Sequence, residues 1–124
     1  MKNIKLVEVK SEIGAGTRGA SLGVDAIKIA AFDFGSDYFK KYQSIEIPSD
    51  NQMLFEPSRS SYARRIKGVL SVSEKVAEAV KGVLSEDNFP IVLSGDHSSA
   101  AGTIAGIKMA YPEARIGVVW IDAH

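Results

Sequence analysis

Two short, unbroken apolar runs constrain this chain more than any other feature: Phe89-Pro90-Ile91-Val92-Leu93-Ser94 and Ile116-Gly117-Val118-Val119-Trp120-Ile121. A strand with one face in water alternates apolar and polar residues. A strand apolar at nearly every position is buried on both faces, as in a parallel sheet covered by helices. Between the runs, a segment from Ser98 or Ser99 to about Ala110 has helical length and is closed by Pro112. Strand, helix and strand at this spacing predict a βαβ unit with a right-handed crossover, and therefore an α/β fold.

The upstream chain reads the same way. Ile4 to Val9 has the pattern of a short strand. The stretch Gly14-Ala15-Gly16-Thr17-Arg18-Gly19-Ala20-Ser21-Leu22-Gly23 reads as a flexible connection whose glycines allow positive φ. Val24 to Phe34 is predicted helical, with Asp25 near the positive end of the helix dipole. Ser44 to Ile47 is a second expected strand, stopped by Pro48, and residues 48 to 61 form a polar loop. From Tyr62 to Leu84, the residues Ile66, Val69, Leu70, Val76, Ala77, Val80, Val83 and Leu84 make one stripe at helical spacing. Gly68 and Gly82 each weaken that helix by about 1 kcal/mol relative to alanine, and mark close packing or a bend. The small residues Ala100, Ala101, Gly102, Ala105 and Gly106 are expected to let the next helix lie close against the sheet. Arg115 to Asp122 is the last expected strand.

Composition removes several classes of function. The 124 residues carry 15 basic and 15 acidic side chains and no cysteine. No basic field favours nucleic acid or anionic lipid, and disulfides and thiolate metal sites are excluded. The longest apolar runs are too short to span a bilayer, and the N-terminus lacks the pattern of a signal peptide. A cytoplasmic protein without nucleic-acid or membrane partners is expected.

Both apolar runs end in chemistry-bearing residues: Gly95-Asp96-His97-Ser98 after the first, Asp122-Ala123-His124 after the second. In open α/β sheets, sites form outside the carboxyl ends of strands. Residues two apart in a strand share a face, so Asp122 and His124 would project together. A carboxylate beside an imidazole suits Mn²⁺, with Zn²⁺ less distinctive. Each motif alone has a plainer reading: a hydrogen-bonded Asp–His pair, and a tight turn in which Asp96 or Ser98 caps the next helix. Two such motifs one βαβ unit apart raise metal binding to an equal alternative. A small flavodoxin-like nucleotide-binding domain is a further reading, through Gly14-x-Gly16-x-x-Gly19. The predicted helix begins too late for that fingerprint.

Leu93-Ser94-Gly95-Asp96-His97-Ser98, followed by Gly102-Thr103 and Gly106, resembles the first metal-binding motif of the arginase and agmatinase (ureohydrolase) family, and Val118 to His124 resembles its second. The loop Gly16 to Gly23 is similar to the family's N-terminal loop. The resemblance implies a three-layer αβα fold with a mostly parallel sheet, arginase/deacetylase-like, reduced here to about four strands. Residues 1–124 would be the N-terminal part of a single ureohydrolase domain. It implies His97 as a ligand of a first manganese ion, Asp122 as a bridge between two ions and His124 as a ligand of the second, with Asp96 and Ser98 supporting them or capping the helix. In that family the two ions activate water against the guanidinium carbon of the substrate.

The implied activity is arginine hydrolysis to ornithine and urea, with agmatinase or formimidoylglutamase chemistry as alternatives. The implied assembly is a homo-oligomer, trimer or hexamer. The family's second motif continues to a further aspartate beyond His124, and its later ligands are also absent here. An incomplete metal site, no activity from the chain alone, or a non-catalytic role beside full-length subunits is therefore expected. In the family, the strands before His97 and Asp122 are not neighbours. Here they would either pair directly or leave open edges, baring apolar surface around Val92, Val118 and Trp120.

Overall fold

The computed structural model describes residues 3–58 and 60–123. Three parallel strands form one sheet in the order β2-β1-β3, with β1 at Ile4–Val9, β2 at Ser44–Glu46 and β3 at Phe89–Ser94. Parallel neighbours require crossovers, and helices supply them. α1 (Gly23–Asp33) and the single turn α2 (Tyr38–Lys41) join β1 to β2, while α3 (Ile66–Ser85) joins β2 to β3. After β3 comes α4 (Ser99–Ala110).

β1 is the central strand, and alternation sorts its side chains to two faces. Val7 and Val9 meet Val72, Val76, Val80 and Val83 of α3 in the main core, with Ile47 beside them and Val92 and Ile107 packed on its margin. On the opposite face the Glu8 side chain is 1% exposed, and its Oε2 accepts a 2.6 Å bond from Lys28 of α1. Lys10 carries a raised pKa, because its ammonium bonds Asp25 and then Glu46. Helices therefore cover both faces, giving the expected three layers.

Several expectations are corrected. The helix predicted from Tyr62 begins at Ile66, because Arg65 takes a left-handed φ of 56° that helical propagation cannot pass. The small residues of α4 serve a helix rather than the sheet. A Cβ on Gly106 would lie 2.5 Å from the Ala77 carbonyl and 2.8 Å from Val80 Cβ, and Gly102 abuts Ser73 and Val76 in the same way. Gly68 marks close packing against Ile13 and Met53, whereas nothing lies within 4 Å of a Cβ at Gly82. Arg115 to Asp122 is not a strand, so three strands stand where about four were expected. An apolar run specifies burial but cannot supply a hydrogen-bonding neighbour, and among the described residues none pairs with this segment. Val118, Val119, Trp120 and Ile121 are consequently exposed. Val92, expected to be bared, instead packs on the core.

The glycine-rich loop after β1 is anchored by one carboxylate. Glu12, 3% exposed, accepts bonds from the Gly19 amide at 2.7 Å, the Ser21 amide at 3.0 Å and the Ser21 hydroxyl at 2.9 Å. Arg18 Nε lies 2.8 Å from its other oxygen. These donors, the Ser21 amide first, hold its pKa below the ordinary 4.5 against the opposing effect of burial.

Two predictions follow from the packing and the anchor. Gly106→Ala should destabilise the chain by about 1–3 kcal/mol, because overpacking outweighs helix propensity. Gly82→Ala should stabilise it by about 0.5–1 kcal/mol. Urea unfolding of both variants reads the difference. Glu12 is depressed in the folded state, so its contribution is complete above the unfolded value. It is lost as pH falls through the folded value. The unfolding midpoint should therefore drop as pH falls below the ordinary carboxylate value of 4.5, and Glu12→Gln should start lower at neutral pH and lose less on acidification.

Candidate functional site

The sheet order places the carboxyl ends of β1 and β3 side by side, with the chain leaving β1 toward β2 on one side and reaching β3 on the other. That reversal is the kind of crevice in which α/β proteins bind ligands. Two segments fill it: the loop after β1 and the turn Gly95-Asp96-His97-Ser98 after β3. The loop crosses directly over Gly95, where a Cβ would meet the Ser11 carbonyl and lie 2.9 Å from the Ala20 carbonyl. Only glycine admits so close a backbone approach. The Gly95 amide also donates to the Val9 carbonyl at 3.0 Å, extending the β1–β3 ladder into the turn.

Asp96 ties the two segments together. Its Oδ2 accepts from the Gly14 amide at 3.0 Å, and its Oδ1 from the Ser98 amide at 2.8 Å and the Ser98 hydroxyl. Ser98 occupies the N-cap position of α4, but its side chain makes no cap bond. The carboxylate of Asp96 instead satisfies an amide at the helix entrance. Ser99 turns inward and donates to Ser94 at 2.7 Å.

His97 is the residue this turn presents outward, its side chain 66% exposed. The segment after α4 folds back over it. Trp120 meets the imidazole edge-on, with ring centroids 5.8 Å apart. Trp120 Nε1 donates to Asp122 Oδ2 at 3.1 Å, and that same oxygen lies 3.8 Å from His97 Nδ1. The fold thus brings together His97 and Asp122, which are 25 residues apart in sequence. His124 lies outside the described residues.

Two donors on one divalent ion at about 2.1 Å each stand about 3 to 3.5 Å apart. A closure of a few tenths of an ångström would let His97 and Asp122 share one cation, and their nitrogen–oxygen chemistry suits manganese. Among the described residues, no cluster of three or more acidic, histidine or cysteine side chains could hold an ion.

Sequence reasoning missed two carboxylates that shape this region. Glu12 lies on the border of a glycine-rich loop, and a lone acid followed by a run of unpaired amides is the signal that could have found it. Glu8 sits at a nominally polar position of an alternating strand, and nothing local marks it as buried.

Comparison with known proteins identifies the family. The model described as "Arginase family" matches residues 2–124. The arginase of Bacillus caldovelox is 35% identical over 128 residues, covering 100% of this chain and 42% of that protein. The arginase of Bacillus subtilis (strain 168) is 33% identical over 125 residues, covering 99% and 40%. The native structure of Bacillus caldovelox arginase superimposes with a TM-score of 0.80 at 33% identity over 100% of this chain and 42% of that one. Entamoeba histolytica arginase in complex with L-ornithine gives 0.81 at 28% identity, over 100% and 43%. The chain spans about two fifths of the length of the relatives it matches. With the family model matching residues 2–124 and arginase structures superimposing on the same fold, the chain belongs to the arginase family.

Proposed function

We propose that these 124 residues are the N-terminal portion of a manganese-dependent hydrolase of guanidino compounds, with arginine as the substrate, carrying one side of its metal site. The observation that carries this reading is the meeting of His97 and Asp122 at the carboxyl end of β3. His97, Asp122 and His124 would hold the metal. Bound manganese would supply positive charge that lowers the pKa of water and stabilises the charge developing at the guanidinium carbon.

The chain's own residues prepare that role. Asp96 fixes the turn from which His97 projects, and Trp120 both braces the imidazole and orients the Asp122 carboxylate. Such supporting contacts set ligand direction and basicity. The choice of arginine over agmatine or formiminoglutamate is supported by the relatives, which are arginases, one of them bound to L-ornithine. Among the described residues no helix is long and apolar enough to cross a membrane. With so few ligands, the chain alone would not hydrolyse arginine.

A second reading has its own observation. Val119 and Ile121 are 89% and 93% exposed, on a segment with no sheet neighbour. A short form bearing this surface would associate with itself or with longer subunits of the same family, whether trimeric or hexameric.

Calorimetric titration with Mn²⁺ tests the first reading. Saturable binding should weaken at least about tenfold in both His97→Ala and Asp122→Ala, with no urea released from arginine by the pure chain. Absence of binding, or binding indifferent to both substitutions, overturns the metal assignment; urea release overturns the inference of an incomplete site. Sedimentation velocity tests the second: the weight-average mass should rise with concentration, and a concentration-independent monomer would dismiss it.

A further inference from the structure

The glycine-rich loop also lines a cavity of about 360 Å³, to which His97, Trp120 and Asp122 do not contribute. It is lined by Gly14, Gly16 and Thr17 of the loop and by Arg18, Arg64 and Arg65, with Glu12 among them. Three guanidinium groups lining one cavity repel one another unless negative charge lies among them. Glu12 supplies one such charge, and Arg18 takes it up. Arg18 is held further by the Phe55 ring, 5.2 Å from its guanidinium carbon. Among the described residues, no ion pair reaches Arg64 or Arg65.

Arg65 adds the decisive detail. Its Nε is buried and has no hydrogen-bond partner. A buried donor on a charged group is costly to leave unsatisfied, and native structures do so rarely. The same residue occupies left-handed backbone at φ 56°, an unfavourable conformation for a long side chain. Arg65, only partly exposed, stands beside a second arginine with no ion pair and an open polar cavity, an arrangement suited to an oxyanion. Arginine's planar fork matches phosphate oxygens two at a time. Two uncompensated guanidinium groups favour a dianion over a single carboxylate, and the volume exceeds that of a bare ion.

We propose that this cavity binds the phosphate group of a small soluble ligand, held by Arg64 and Arg65 against the glycine-rich loop, separately from the His97–Asp122 pair. The proposal does not depend on the metal reading, since it uses no residue of that pair. Its position makes it a regulatory contact as well. The loop forming its wall bonds Asp96 through the Gly14 amide, so an anion that orders the loop also steadies the turn carrying His97.

The test is calorimetric titration of the whole chain with inorganic phosphate at constant ionic strength, beside Arg64→Gln, Arg65→Gln and Lys81→Gln. One saturable site is expected, with a rise in unfolding temperature as it fills. Arg65→Gln should weaken it about tenfold or more, and Arg64→Gln should weaken it too, while Lys81→Gln, on α3 away from the cavity, should leave it unchanged. Arg64 is exposed, so its replacement reads binding even where Arg65→Gln disturbs the start of α3. Non-saturating uptake, equal loss in Lys81→Gln, or binding that survives both arginine substitutions overturns the site. Tighter binding of succinate than of phosphate overturns the assignment to a phosphate group.

Discussion

Glu12 sits at the point where the sheet hands over to the site. A carboxylate removed from water must be met by donors, and here those donors are the backbone and side chain of the loop that follows it. The loop, fixed on Glu12, places the Gly14 amide against Asp96, and Asp96 in turn holds the turn after β3. Two segments about 80 residues apart are thereby locked at the carboxyl ends of adjacent strands. The geometry at His97 depends on that lock more than on anything local to the histidine. A run of glycines supplies it because bare backbone can both wrap a carboxylate and pass over Gly95.

Below this layer the sheet is held by β1. Its two faces are built differently: valines against α3 on one, and the Glu8–Lys28 pair against α1 on the other. A charged pair in that position gains less from burial than a hydrophobic one would, because each group must first be desolvated. Among the described residues, no donor reaches Glu8 Oε1. The valine face, extended by the close approach of α3 and α4 at Gly102 and Gly106, therefore carries most of the cohesion.

Much of this was legible in the residues. Strands Ile4–Val9 and Phe89–Ser94 and the helix ending at Ala110 stand where apolar pattern and punctuation put them, because those signals report burial and backbone restriction directly. Long-range pairing is a different kind of information. The run Ile116 to Ile121 is as apolar as β3, yet no strand accepts it. Of the α3 stripe, Val76, Ala77, Val80 and Val83 are buried as expected, whereas Ile66 and Leu70 are exposed and Val72, outside the expected stripe, joins the core; Arg65 also starts the helix late through a backbone conformation that no periodicity encodes. Likewise the small residues of α4 signalled a close approach without saying to what. At the site, His97 and Asp122 are marked by their place after apolar runs, whereas Glu12 is marked only by the glycine-rich run that follows it and Arg65 by nothing local. Their importance comes from what the fold buries around them.

The two places that the glycine-rich loop borders bear on how such a site is controlled. At one the loop positions a histidine and a carboxylate that together make an electron-rich corner; at the other it lines a cavity whose unpaired charges are positive. The two need opposite partners, a cation and an anion, and Glu12 with Arg18 forms a neutral pair beside the loop. Anion binding in the cavity would reach the cation site through the Gly14–Asp96 bond, a single mechanical link, more than through the field, which solvent weakens. Coupling of that kind requires only that the loop be less ordered when the cavity is empty. A segment of mostly small residues, held chiefly by one carboxylate, has few contacts to oppose such loosening.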